Sequence, residues 1–294
     1  MPDNAIANAL SIDVEDYFQV SALAPYIPRH EWERMPCRVE RNTELILAML
    51  AESATQATFF VLGWIAERYP TLVRRIVAEG HELASHGYDH ERVTRHSRGD
   101  FYEDVCKAKR LLEDIAGMEV RGYRAPSFSI GEHSFWAFDC LLQAGYRYSS
   151  SVYPIRHDHY GMPSASRFPF EPVPGLLEIP LTTARVLGTN LPAAGGGYFR
   201  LLPYVISRAL IRRVNAVDNR PALFYFHPWE IDPAQPRIAG TSVRTRFRHY
   251  LNLYRMEERL RRLLADFRWR RVDEVFQDFA AVEDLLVPEA AAVT

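Results

Sequence analysis

Cysteine is scarce: Cys37, Cys106 and Cys140 are the only three in 294 residues, and no two form a Cys-x-x-Cys pair. So odd and scattered a set excludes a disulfide framework and fits free thiols in a reducing compartment. Charge of one sign is lacking too. Thirty-five Lys and Arg stand against 37 Asp and Glu, a formal net charge of −2. Nothing global therefore draws the chain to nucleic acid or an anionic membrane. Glycine (15) and proline (19) are near average, which excludes collagenous and low-complexity chains. No apolar run approaches the roughly 18 uncharged residues of a membrane span. The start of the chain carries Asp3 but no basic cluster, unlike a secretory signal. These absences predict a cytoplasmic protein with no membrane span and no nucleic-acid partner.

What is present is an ordinary globular composition, 48% hydrophobic and 24% charged. At this length two domains or one α/β barrel are both possible. Short β-type runs at Ala7–Val14, 57–62, Glu82–Ser85, 120–124, 147–149, 177–181, 222–226 and 269–272 alternate with helical patterns. Helices are predicted over 42–51, over 71–79 with Gly80 as its stop, and from a Ser97 cap to about Ile115 with Gly117 beyond. Strand–helix alternation predicts parallel strands and βαβ units. The stretch 154–197, with Gly195-Gly196-Gly197, reads as long loops with an irregular hairpin. From Ser242 the texture becomes Arg-rich and helical, ending in an Ala-rich tail expected to be disordered.

Four short clusters carry chemistry. Ser11-Ile-Asp13-Val-Glu15-Asp16 puts three carboxylates at a strand end, where they need a cation or a basic neighbour. Alternation along the strand would put Asp13 and Glu15 on one face. Ser85-His86-Gly87-Tyr88-Asp89-His90 offers two imidazoles that can converge on one ion, with a carboxylate as third donor. Arg121-Gly-Tyr123-Arg124-Ala-Pro126 brings a guanidinium able to hold a buried carboxylate ionised. Phe224-Tyr-Phe-His227-Pro-Trp229-Glu230 delivers a histidine to the end of an aromatic strand. Beside a metal site such a histidine can serve as a general acid. Each cluster alone also fits a solvated turn, a surface histidine pair or an ordinary ion pair; their order makes the combination informative.

In that order the clusters resemble the polysaccharide deacetylase family, carbohydrate esterase family four, over about residues 8–230. The wording Asp-Val-Glu-Asp-Tyr-Phe and Phe-His-Pro-Trp-Glu is similar to a subgroup of exopolysaccharide and exosortase loci that carries a C-terminal extension. The resemblance implies an α/β fold, a distorted (β/α) barrel of seven strands, with a catalytic barrel over 1–240. An extension over 241–294 would pack on the barrel. It also implies metal-dependent N-deacetylation of an acetylated glycan or glycan precursor, with zinc as the ion and cobalt or nickel as alternatives. Asp13 would be the base, Arg124 its orienting partner and His227 the acid. His86 and His90 would bind the metal, with Glu15 or Asp16 completing the set. Tyr17, Tyr88, Phe128, Tyr153 and Trp229 would form walls against sugar rings. One departure stands out: Tyr148-Ser149-Ser150-Ser151 occupies the place where the family often has an aspartate that tunes the acid histidine. Glu230 or Asp232 would have to supply that charge. A relative acting on a small C–N substrate or a formylated sugar lipid, or a silent glycan-binding protein, is the rival expectation.

Overall fold

The structure, a computed structural model, describes residues 6–158 and 160–276. The expected disordered tail, 288–294, lies outside them. The first strand, β1 (Ala7–Val14), is buried along nearly its whole length, as its apolar run requires. Helix α1 (Val39–Glu52) follows, then β2 (Thr58–Val61), the short α2 (Gly63–Arg68), α3 (Pro70–Ala78) and β3 (Glu82–Ser85). Helix α4 (Arg98–Ala116) starts where Ser97 Oγ accepts the Asp100 N–H at 3.2 Å and stops at Gly117 in the left-handed region, φ 67°. Next come β4 (Gly122–Tyr123), α5 (Trp136–Gln143) and β5 (Tyr148–Ser149).

Between 154 and 197 the chain makes more structure than loops and one hairpin. Strands β6 (Phe170–Val173) and β7 (Leu176–Glu178) pair antiparallel and join the main sheet. Strands β8 (Thr183–Val186) and β9 (Thr189–Pro192) form a separate antiparallel pair. The glycine triplet opens α6 (Gly196–Leu201), and α7 (Tyr204–Arg213) leads to β10 (Leu223–Phe226). The last described elements are α8 (Val243–Tyr250), α9 (Met256–Asp266), β11 (Arg268–Arg270) and α10 (Val272–Phe276).

Strand order in the main sheet is β10-β1-β2-β3-β4-β5-β7-β6, with β11 paired to the start of β1, nine strands in all. From β10 to β7 every neighbouring pair is parallel. Among the described residues no strand pair joins β6 or β7 to β10, so the path stays open. Alternate residues face two separate cores. Leu10, Ile12, Val14, Phe59, Val61, Leu83, Phe224 and Phe226 pack toward the helices. Ala9, Phe60, Ala84, Tyr148, Ile179, Leu223 and Tyr225 form a second cluster on the other face. That cluster takes residues from both ends of the strand path, so the sheet curls around it. Each fully buried Leu, Ile or Phe contributes roughly 1.5–3 kcal/mol. The C-terminal part is tied into the same sheet, because β11 pairs with β1 and Val272 N donates to Thr58 Oγ1 at 2.7 Å.

Candidate metal centre

Strand register assembles the site. Val14 pairs with Val61, Val61 with Ser85, Ser85 with Tyr123 and Tyr123 with Ser149. The residues just beyond that row are Glu15, Leu62, His86, Arg124 and Ser150. Ile12 pairs with Phe226, so Asp13 and His227 leave adjacent strands side by side. All emerge at the carboxyl ends of parallel strands, where α/β folds build their sites.

Glu15, His86 and His90 each present a donor atom, all within 4.8 Å of one another. The three are 2%, 2% and 9% exposed, too buried for a chance surface cluster. His86 Nδ1 donates to the Arg124 carbonyl at 2.8 Å, which leaves Nε2 with its lone pair toward the centre. His90 sits at φ 54°, in the left-handed region that few residues other than glycine, asparagine, aspartate and histidine adopt. This turn, with Gly87 at φ 75°, doubles the loop back until the two imidazole centroids are 5.3 Å apart. The histidines therefore converge through a strained loop, not a helical turn. His90 Nε2 is 2.7 Å from Glu15 Oε2, and that buried oxygen has no other polar partner. A buried carboxylate oxygen facing two imidazole nitrogens is a donor set suited to a divalent ion.

Asp16, the other carboxylate considered for that role, turns away. Its Oδ1 accepts Tyr17 N at 2.8 Å, and its Oδ2 accepts Arg38 N at 2.5 Å and Val39 N at 2.9 Å. Both oxygens are spent on backbone amides, Oδ1 on the next residue and Oδ2 at the start of α1. Burial pushes its carboxyl up to about 6 against those bonds.

Asp13 is 1% exposed and lies beside a fully buried Arg124, whose Nη1 donates to its Oδ1 at 2.5 Å. Arg124 also donates to Ser11 Oγ (2.8 Å), Ser150 O (3.1 Å) and Ser150 Oγ (2.9 Å), so its fork is fixed on both sides. The serine stretch thus anchors the arginine. Behind it, Glu178 accepts the Ser151 and Val152 amides at 2.8 Å each.

His227 is the most open member, its side chain 18% exposed. Its Nε2 is 3.4 Å from Glu15 Oε1 and 3.9 Å from Asp13 Oδ2. Nδ1 is 3.0 Å from Glu230 Oε2. Burial alone would lower its pKa, but Glu15, Glu230 and Asp13 outweigh that and raise it to about 9. Burial lowers His86 to about 4, favouring the neutral, ligating form. For Glu15 burial acts upward, and the His90 and His227 charges overcome it to bring the carboxyl to about 2. Asp232 is not the partner of His227: it pairs with Arg38 and accepts Asn42 Nδ2 at 3.4 Å.

The five aromatic residues expected as sugar walls are all 9% exposed or less, so none offers an open ring face. Tyr17 is packed edge-on to Phe18 with its hydroxyl unbonded. Tyr88 donates to Glu67 at 2.6 Å beneath the Lys107 ammonium. Phe128 packs on Tyr153 and Tyr225, and Tyr153 donates to the Ala194 carbonyl at 2.8 Å. Trp229 alone touches the centre, its Nε1 donating to Glu15 Oε1 at 3.2 Å. Ring size and sequence proximity were the signals, and both describe core packing equally well. Arg200, Gly196 and Asp104, which support the site, carry no sequence signal of their own. A cavity of about 680 Å³ near Gln56, His81, Trp269 and Arg270 lies at the opposite strand ends and touches none of these groups.

Comparison with known proteins finds partial matches along the chain. Residues 32–149 match the polysaccharide deacetylase family, and residues 150–277 match a domain of unknown function, DUF3473. The peptidoglycan-N-acetylglucosamine deacetylase of Bacillus cereus is 33% identical over 96 residues, 32% of this chain and 35% of that protein. A chitooligosaccharide deacetylase of Sinorhizobium fredii is 37% identical over 100 residues, 34% of this chain and 44% of that protein. The chain thus spans less than half the length of these relatives. A Mycobacterium smegmatis structure assigned to the polysaccharide deacetylases superposes over 100% of this chain and 96% of its own, with TM-score 0.62 and 21% identity. That likeness establishes the α/β fold. No helix among the described residues is long and apolar enough to cross a membrane.

Proposed function

We propose, from the polysaccharide deacetylase segment this chain carries, that the protein is a metal-dependent hydrolase removing N-acetyl groups from amino sugars of a glycan or glycan precursor. The observation that supports it most is the convergence of Glu15, His86 and His90 with the Asp13–Arg124 pair and His227. Relatives named for N-acetylglucosamine and chitooligosaccharide deacetylation point to the substrate class. The acidic wording at residues 13–18 carries the further proposal of a role in exopolysaccharide synthesis.

Glu15, His86 and His90 would hold a divalent ion, zinc by donor chemistry, with cobalt or nickel also compatible. Such an ion supplies Lewis acidity toward the acetamide carbonyl and lowers the pKa of the attacking water. Asp13, oriented by Arg124, takes the water proton as general base. The water oxygen adds to the carbonyl carbon. As the C–N bond breaks, its electron pair stays on nitrogen, and His227 delivers a proton there from Nε2. Acetate and a free amine leave. Trp229 fixes Glu15 from behind, which keeps the metal-facing oxygen Oε2 pointed inward.

Purified protein loaded with zinc should release acetate from N-acetylglucosamine oligomers and lose that activity on chelation. Formate release, or ammonia from a ureide, in place of acetate would overturn the substrate assignment. No bound metal and no activity with added zinc or cobalt would favour a silent glycan-binding protein.

A further inference from the structure

Glu230 does more than neighbour His227. Its Oε2 accepts the His227 backbone N–H at 3.0 Å and faces Nδ1 at the same distance, so one oxygen fixes both ring and backbone. Its Oε1 is taken by Arg200 Nε at 2.8 Å. Both members of that pair are buried, Glu230 fully and Arg200 to 2% exposure. The carboxylate fits only because Gly196 has no side chain: a Cβ there would stand 1.8 Å from Glu230 Oε2. Gly196 is not needed for a left-handed backbone, so the demand is for space. Four residues on, in α6, Arg200 reaches back to the same carboxylate.

Arg200 is itself fixed from the C-terminal part of the chain. It donates to the carbonyls of Leu251 (2.7 Å), His249 (3.1 Å) and Arg248 (3.3 Å) at the end of α8. Arg259 Nη1 donates to the carbonyls of Leu202 (3.0 Å) and Arg200 (3.1 Å), closing the end of α6. Trp229 stacks between His227 and His249, with centroids 5.2 and 4.4 Å away. His227 is therefore held by a shell drawn from residues 196–259, none of which lies in the segment 32–149.

We propose that Glu230, anchored by Arg200 and seated on Gly196, is the positioning residue that keeps the proton on His227 Nδ1 and turns Nε2 toward the metal centre. This rests on the deacetylase reading for its consequence, though not for its geometry. The glycine triplet and the Arg-rich segment thereby acquire a role: they build the acid half of the site.

Glu230→Gln tests it. Arg200 would claim the amide oxygen, so the Gln NH2 would face Nδ1 and the His227 N–H. A donor against a donor leaves Nδ1–H without an acceptor, so that proton is lost and Nε2–H, now on a neutral ring, is a much weaker acid. Two readouts follow. In protein with 15N-labelled histidine, the His227 Nδ1–H resonance should be present in the wild type and lost in Glu230→Gln. The second readout compares acetate release from N-acetylglucosamine oligomers with hydrolysis of 4-nitrophenyl acetate, whose phenolate leaves without an acid. The amide-to-ester ratio of kcat should fall about 10²-fold, the lower end of what a general acid supplies. KM and zinc content should stay within about twofold. Gly196→Ala, which displaces the carboxylate, and Arg200→Met, which frees it, should lower the ratio in the same direction. An unchanged resonance, an unchanged ratio, or equal losses on amide and ester would overturn the proposal. If the wild type releases no acetate, the deacetylase reading fails, and the tautomer measurement still decides the role of Glu230.

Discussion

Glu15 and Asp16 are neighbours with opposite duties, and exchanging each for alanine should separate binding from folding. In Asp16→Ala, the buried amides of Tyr17 and Val39 and the half-buried amide of Arg38 lose their acceptor. At roughly 1–3 kcal/mol for each unsatisfied group, the middle of the range is about 6 kcal/mol. Burial already raises the Asp16 carboxyl from 3.8 to about 6. Losing that strain at neutral pH returns about 3 kcal/mol, at 1.36 kcal/mol per pKa unit. The net loss is about 3 kcal/mol, a fall in Tm of roughly 6–12 °C. Zinc affinity should hardly change, because Asp16 lends no atom to the cluster of Glu15, His86 and His90.

Glu15→Ala should show the reverse. It removes one of three donor atoms, and with it the charge that offsets a dication. Zinc affinity should fall by more than the roughly 10–100-fold typical of losing a supporting residue. Stability loses the Trp229 indole bond, at 3.2 Å, and the His90 and His227 contacts. Calorimetric zinc titration and thermal melting of the two variants are the assay. If Asp16→Ala lost the metal while melting normally, or Glu15→Ala bound zinc like the wild type, the division of labour argued here would be refuted.

Other outcomes follow from the same contacts. Asp13→Asn should abolish acetate release while zinc content, read by elemental analysis, is retained, whereas His86→Ala should lose the ion; turnover by Asp13→Asn would remove it as the base. Arg124→Met strands the buried Asp13 carboxylate and should destabilise the fold by about 3–5 kcal/mol, visible as a lowered urea midpoint. Asp104 accepts Tyr88 N at 3.2 Å beneath the histidine loop, and burial raises its carboxyl from 3.8 to about 6. The raised value means the folded state favours the protonated form, so stability is full below pH about 4 and declines as pH rises through 6. Asp104→Asn removes that decline: it should match the wild type at pH 4 and exceed it by at most about 3 kcal/mol at pH 7.5. Parallel melting curves at both pH values would contradict the sign.

Much of this was legible beforehand because strand ends carry their own markers. Ala7–Val14 and Glu82–Ser85 appear with the predicted limits, since each is an apolar run closed by polar residues that cannot continue it. The Ser97 and Gly117 signals framed α4 because both are local, a side-chain acceptor and a left-handed residue. What could not be read were contacts over long sequence separations. Nothing in Gly-Gly-Tyr-Phe-Arg says that Arg200 meets Glu230, 30 residues on, or that Gly196 must leave room for it. The choice between Glu15 and Asp16 also lay beyond pattern, because it depends on where the amides of Arg38 and Val39 come to rest. The role of the aromatic residues is not legible from pattern for a related reason: size and polarity mark burial, and burial serves packing as readily as recognition.

The division between the two matched segments does not coincide with the division of the site. Asp13 and Glu15 precede residue 32, His86, His90 and Arg124 lie within 32–149, and His227 and Glu230 lie within 150–277. Their meeting depends on β1, which pairs with β2 on one side, with β10 along Ala9–Ile12 and with β11 along Ala7–Ala9. Removing the second segment would strip β1 of two partners and open the cluster holding Tyr225 and Leu223. A bare edge beside exposed apolar surface invites association in place of folding. A fragment ending at residue 149 should therefore be neither soluble nor competent, since it lacks His227 and Glu230 as well as β10 and β11. The sheet and the chemistry share one constraint: the same Ile12–Phe226 pairing that completes the fold brings His227 to Asp13.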